Sequence, residues 1–97
     1  MTVGSLEVEI RLDSCFNLKE KRRILQRLLH KLRNDVHVSV AEIADNDLWN
    51  SAVIGVACVS AHPQMANWVL DRVIEKFESE AEVEIVSIAR YVQRPGA

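Results

Sequence analysis

Residues 5–34, SLEVEIRLDSCFNLKEKRRILQRLLHKLRN, decide the fold because the spacing of their apolar residues changes once. From Ser5 to Leu12 apolar and polar residues alternate, which is typical of a strand with one buried face. After Asn17 the apolar residues recur every three or four positions, which is the period of an amphipathic helix. Asn17 and Glu20 also have the spacing of a capping box at a helix start. The stretch therefore predicts a first strand and then a first helix that ends near Asn34.

A second strand is predicted where the period of two returns. Val36, Val38 and Val40 lie on one of its faces. Ala41 and Ile43 fall on the other face, so this strand is either apolar on both sides or carries a bulge.

The rest of the chain predicts two more strands and one more helix. Residues 52–59 form a nearly continuous apolar run, which indicates a central third strand. Pro63 suits the first turn of a second helix, and residues 83–92 predict a fourth strand. The apolar stripe of the second helix consists of Ala66, Val69, Leu70, Val73, Ile74 and Phe77.

The predicted order βαββαβ is that of the ferredoxin-like split βαβ arrangement, an α+β fold. Right-handed crossovers place both helices on one face of a four-stranded antiparallel sheet with the strand order 4-1-3-2. We expect residues 1–93 to form this single domain and residues 94–97 to form a C-terminal tail. The topology also brings the start of the first helix, residues 45–50 and residues 78–84 to one end of the molecule.

The composition fits one small globular domain. Of the 97 residues, 48% are hydrophobic and 27% are charged, which is typical of folded rather than disordered chains. The longest apolar run, residues 52–59, is far too short to span a bilayer, and the N-terminus lacks the pattern of a secretory signal. We therefore expect a cytoplasmic protein that does not bind a membrane.

The net charge of −2 conceals an uneven distribution of charge. Residues 17–34 contain seven basic residues and one acidic residue, whereas residues 71–84 contain six acidic residues and two basic ones. Both segments are interpreted either as solvated helix faces or, for the basic segment, as a strip that docks on phosphate groups. The candidate residues for binding nucleic acid or an anion are Lys19, Lys21, Arg22, Arg23 and Arg27.

Lys21 differs from the other basic residues because it falls within the apolar stripe of the first helix. Its stem can lie over the core while its ammonium reaches Asp45 or Asp47, which predicts a structural ion pair; the alternative is a lysine that binds a ligand. Two aspartates are too few to hold a metal ion, so we expect both to support their turn. We interpret Trp49 as a lid over the end of the core, with a binding platform as the alternative.

Trp68 lies opposite the apolar stripe of the second helix, so we expect it to be exposed and to contact a partner. A shifted helix register would bury it instead. Cys15 and Cys58 are expected near opposite ends of the sheet, which excludes a disulfide between them. The three histidines lie on separate segments, so no metal or other cofactor is expected.

No pattern of residues indicates an enzyme. Acylphosphatases share this size and topology, but residues 13–17 contain neither their glycine-rich phosphate loop nor its arginine. No nucleophile and base motif is present elsewhere. Glu7 and Glu9 occupy the open face of the first strand, where RNA-binding sheets of this topology carry stacking aromatic residues.

Four segments carry a family resemblance: residues 17–23 (NLKEKRR), 38–42 (VSVAE), 47–49 (DLW) and 52–55 (AVIG). Together they resemble the YlxP-like family of uncharacterised small bacterial proteins over nearly the whole chain. The resemblance implies a ferredoxin-like fold in a bacterial cytoplasm and no established activity. Genes of this family often lie beside genes for translation and ribosome maturation, which implies by association a link to RNA or a ribosomal particle.

Two functional hypotheses follow. The first is a noncatalytic binding or assembly protein that uses its basic helix on RNA. The second is a sensor of a small anion or metabolite that uses the start of this helix and the loop with Asp47 and Trp49. We also expect a homodimer through the open sheet face, because residues 52–59 are apolar on both sides; another protein on the same face is the alternative.

Overall fold

Two helices, four strands and one π-helical turn form the computed structural model, which describes residues 1–96. In chain order they are β1 (Thr2–Arg11), α1 (Leu18–Lys31), the π-helical turn (Leu32–Val36), β2 (Ser39–Ala44), β3 (Ser51–Ser60), α2 (Pro63–Glu78) and β4 (Glu84–Gln93).

The four strands form one antiparallel sheet in the order β2-β3-β1-β4. The two central strands pair over their full length, from Thr2 opposite Ser60 to Arg11 opposite Ser51. This order is the predicted one read from the other edge, so the βαββαβ ferredoxin-like architecture is confirmed.

The predicted start of β2 is wrong by three residues. Val36 belongs to the π-helical turn, and the strand begins only at Ser39. The chain reverses at His37, whose φ of 59° is left-handed, and a strand cannot continue through that conformation. The bulge predicted for β2 is present, since the pairing with β3 shifts between Glu42 and Ala44.

The core lies between the helices and one face of the sheet. Alternate residues of the two central strands point into it, namely Leu6, Val8, Ile10, Ala52, Ile54 and Val56. They pack with one stripe from each helix, which consists of Ile24, Leu25 and Leu28 in α1 and of Ala66, Leu70, Val73 and Phe77 in α2. Within residues 1–96, no helix is long and apolar enough to cross a bilayer.

Asn17 fixes the start of α1 as predicted. Its Oδ1 accepts a hydrogen bond from Glu20 N at 2.9 Å. The Glu20 carboxylate in turn accepts one from Phe16 N at 3.1 Å, one residue before the usual capping-box donor. These two bonds set the position of the β1–α1 connection relative to the helix.

Candidate functional site at the loop end of the sheet

Two loops meet where β1 ends and β3 begins. Leu12 N donates to Asn50 O at 2.9 Å, which joins the β1–α1 connection to the β2–β3 loop. We call this region the loop end: residues 12–17, the first turn of α1, and residues 45–50. Of the candidate site residues predicted from the sequence, it contains Lys19, Lys21, Asp45, Asp47 and Trp49.

Lys21 holds the loop end together from inside. Its side chain is only 3% exposed, and its Nζ lies 2.8 Å from Glu42 Oε2. Nζ also donates to Asp45 O at 2.7 Å and to Leu48 O. Two of the three N–H donors of the ammonium thus serve backbone carbonyls, and its charge is paired with the Glu42 carboxylate.

The predicted partner of Lys21 is therefore wrong. Neither Asp45 nor Asp47 supplies the carboxylate, because Glu42 at the bulge of β2 does so. Asp45 has a left-handed φ of 64°, and its carbonyl rather than its side chain faces Lys21. The Asp45 carboxylate accepts a hydrogen bond from Ser51 Oγ at 3.2 Å, while Asp47 is exposed.

Four apolar side chains are exposed at the loop end. Phe16 is 75% exposed and Trp49 is 47% exposed, and Leu18 and Leu48 are exposed as well. A tryptophan with half of its surface in water does not cover the core, so the interpretation of Trp49 as a lid is wrong. Its exposure fits the alternative, a binding platform.

Sequence reasoning missed Phe16, although a signal was present. The residue before a helix cap usually packs against the fourth residue of the helix in a hydrophobic staple. Here that fourth residue is Lys21, whose charged end turns to Glu42. Phe16 thus lacks the usual apolar partner and stays in solvent.

Apart from Lys21, the lysines and arginines of α1 divide into two groups. Lys19 and Arg22 are exposed and have no ion pair among the described residues. Arg23 and Arg27 instead reach the connection between α2 and β4. Arg27 Nη2 lies 2.6 Å from Glu82 Oε1.

Glu80 and Glu82 complete this second group. Arg27 also contacts Glu80 at 3.0 Å, as does Lys31, and Arg23 lies 3.4 Å from Glu82. The hydrogen bond from Arg27 lowers the pKa of Glu82 and raises that of Arg27 itself. The acidic segment therefore meets the basic helix, as the topology predicts, and its carboxylates occupy part of the strip.

Trp68 lies away from the loop end, on the outer face of α2. It is 56% exposed, as its position on the helix predicts, and the Arg72 guanidinium sits 5.3 Å from its ring centroid. Cys15 and Cys58 are both buried and free, and burial raises the pKa of the Cys58 thiol. Among residues 1–96, no three His, Cys, Asp or Glu side chains are grouped so that they can hold a metal ion.

Comparison with known proteins gives one family and one fold. The model of a family described as protein of unknown function (DUF503) matches residues 3–90. The uncharacterised protein YlxP of Bacillus subtilis (strain 168) is 34% identical over 82 residues, which cover 84% of this chain and 89% of that protein.

The similar solved structures include two de novo designed proteins. Foldit4 is 14% identical with a TM-score of 0.60, and the match covers 95% of this chain and 99% of that one. The solution NMR structure of LFR1 1, a design with ferredoxin fold, is 13% identical with a TM-score of 0.57 and covers 100% and 89% of the two chains. Such likeness shows the fold alone.

Proposed function

This chain belongs to the DUF503 family of proteins of unknown function, and we propose that it is a noncatalytic module that binds single-stranded RNA at its loop end. The membership confirms the family resemblance found in the sequence. The support for RNA binding comes from the structure of this chain. The proposed RNA-binding surface is the loop end and the free cations beside it, which is smaller than the whole basic helix predicted from the sequence.

The observation that supports the proposal is the juxtaposition of exposed aromatic rings and free cations. Phe16 and Trp49 expose their rings on the two loops that the bond between Leu12 and Asn50 joins. Lys19 and Arg22 lie in the first turns of α1, directly after Phe16. Unpaired bases stack on such rings, while basic side chains contact the phosphates between the bases.

Lys21 acts in this proposal as a positioning residue. Its contacts with Glu42, Asp45 and Leu48 join the first turn of α1 to the loop that carries Trp49. A fixed distance between the aromatic loop and the cations lowers the entropy lost when RNA binds. The buried lysine therefore supports the surface without contacting RNA.

The same contacts argue against a sensor of a small anion. A sensor site built on Lys21 needs that ammonium to be free, but it donates to Asp45 O and Leu48 O and lies 2.8 Å from Glu42 Oε2. The backbone N–H of Glu20 is also taken, by the Asn17 cap.

The two tryptophans provide a matched test. Trp49 at the loop end and Trp68 on α2 have similar exposure, so truncation of either removes the same chemistry from a different surface. We expect Trp49→Ala to weaken binding of a fluorescein-labelled oligouridylate about 5- to 150-fold, which corresponds to the roughly 1–3 kcal/mol of one stacked base. Trp68→Ala leaves the dissociation constant unchanged, as measured by fluorescence anisotropy at low salt.

Two results contradict the proposal. One is that the wild-type protein binds neither the oligouridylate nor purified ribosomal RNA at low salt. The other is that both tryptophan variants weaken binding equally, since that places the contact elsewhere.

A further inference from the structure

The sheet has an apolar surface on the side away from the helices. Six apolar residues of the β2–β3 half lie on this open face: the register places Ala41, Val53, Gly55, Ala57 and Val59 there, and Ile43 at the bulge of β2 lies over Gly55. Val59 is 70% exposed and Ile43 is 49% exposed. An antiparallel sheet that faces water usually presents polar residues there, as β1 does with Ser5, Glu7 and Glu9.

Gly55 and Ile43 pack closely on this half of the open face, so that no large side chain projects from β3 at Gly55. A Cβ atom at position 55 would lie 2.9 Å from Ile43 Cγ2, so a larger residue there forces the isoleucine side chain to move. A shallow groove of about 350 Å³ runs beside it, with Ser5, Ala41 and Ala57 among its lining residues. Small residues of this kind allow another backbone to approach closely.

The charges of the open face limit which kinds of molecule can bind there. Glu7, Glu9 and Glu84 lie on it with a single basic residue, Arg11, which the register places opposite Glu84. Glu7 and Glu9 lie on the central strand β1, and an excess of carboxylates there repels RNA phosphates and anionic lipid headgroups. Arg11 holds Glu84 only at 3.7 Å with both side chains more than half exposed, so Arg11 is available to a glutamate of another molecule.

We infer that the open face binds a second copy of this chain in a two-fold dimer. A face that has an apolar half on β2 and β3 and both signs of charge beside it on β1 and β4 is able to pair with itself, as a two-fold interface requires. The inference does not depend on RNA binding, because the loop end lies at the end of the sheet and stays free in such a dimer.

The open face is large enough for this interface. Its two central strands have ten residues each. At ~3.3 Å per residue and ~4.8 Å between strands, these two strands, the ten-residue β4 and the six-residue β2 cover roughly 570 Å² in projection. The accessible area of the side chains exceeds this flat estimate, and each partner of a standard-size interface buries about 800 Å².

The mass in solution tests the inference. We expect sedimentation equilibrium at micromolar concentration to give about twice the 11.0 kDa of the single chain. Ala57→Arg places a charge at the centre of the open face, and because Ala57 is exposed in the monomer, the variant folds and sediments as a single chain. Circular dichroism of the variant checks the fold.

A matched control and two contrary results complete the experiment. Gln26→Arg adds the same charge on the exposed side of α1 and leaves the dimer intact. A wild-type protein that is monomeric at micromolar concentration overturns the inference. So does a dimer that withstands Ala57→Arg and dissociates with Trp68→Ala, because its contact then lies on α2.

Discussion

Two basic side chains of α1 illustrate how burial changes the role of one charge. Lys21 and Arg27 each hold a carboxylate and further oxygen atoms within hydrogen-bond distance. The Lys21 side chain is 3% exposed, whereas that of Arg27 is 40% exposed. Water and salt therefore screen the contacts of Arg27 and hardly reach those of Lys21.

This difference separates structural charges from exchangeable ones. A buried ammonium cannot change partners, because any loss of contact leaves it or Glu42 unpaired away from water. The contacts of Arg27 at the surface with Glu80 and Glu82 can be replaced by another anion at little cost. Position within the helix, rather than the number of ion pairs, decides which basic residues are available to RNA.

Removal of Lys21 gives the largest effect expected from this comparison. We predict that Lys21→Met lowers the free energy of unfolding by about 3–5 kcal/mol, since it leaves the Glu42 carboxylate unpaired. The matched variant Arg27→Met lowers it by no more than about 1 kcal/mol. Urea denaturation of both variants measures the difference.

The double variant Lys21→Met with Glu42→Gln sharpens the result. Glutamine keeps the shape of Glu42 and removes its charge, so we expect part of the lost stability to return. If Lys21→Met and Arg27→Met lower the free energy of unfolding equally, burial does not make the Lys21 ion pair more important than that of Arg27. This result contradicts the prediction.

The architecture was predictable because burial imposes a period on each element. Alternation in residues 5–12 and the three-to-four spacing after Asn17 are enough to identify β1 and α1 from the sequence. The start of β2 was not predictable in this way, because Val36 has a strong strand preference that the π-helical turn overrides.

The candidate site was predictable only in outline. The position of Lys21 in the apolar stripe indicated a buried lysine at the loop end, and the topology brought the acidic segment to α1. Its three partners depend on the bulge at Glu42 and on the left-handed backbone at Asp45, which no periodic pattern records. The positions of the Glu80 and Glu82 side chains likewise decide which basic residues of α1 lack an ion pair.

A smaller effect is expected from the surface ion pairs of Arg23 and Arg27 with Glu80 and Glu82. Here a variant binds RNA more tightly than the wild type. Glu82→Gln releases Arg23 and weakens the hold on Arg27, which makes these cations available to phosphates. We expect a several-fold gain in affinity for oligouridylate and a salt slope steeper by ~0.7 for each new phosphate contact.

Glu75→Gln serves as the control for this gain. It removes the same negative charge from the exposed face of α2, where Glu75 lies 4.0 Å from Arg72. An equal gain in both variants indicates an effect of net charge alone, and contradicts the view that Glu82 competes with RNA for the arginines.

The smallest expected effect is a dependence of stability on acid pH. Because Arg27 lowers the pKa of Glu82 in the folded protein, this carboxylate contributes its stability at pH values above its ordinary pKa of 4.5. The contribution disappears as the pH falls through the lower folded pKa, where Glu82 takes up a proton and releases Arg27. The melting temperature of the wild type therefore exceeds that of Glu82→Gln near neutral pH, and the difference narrows below pH 4.5. A difference that stays constant across this range shows that Arg27 and Glu82 do not interact in solution, so that Glu80 alone holds Arg27.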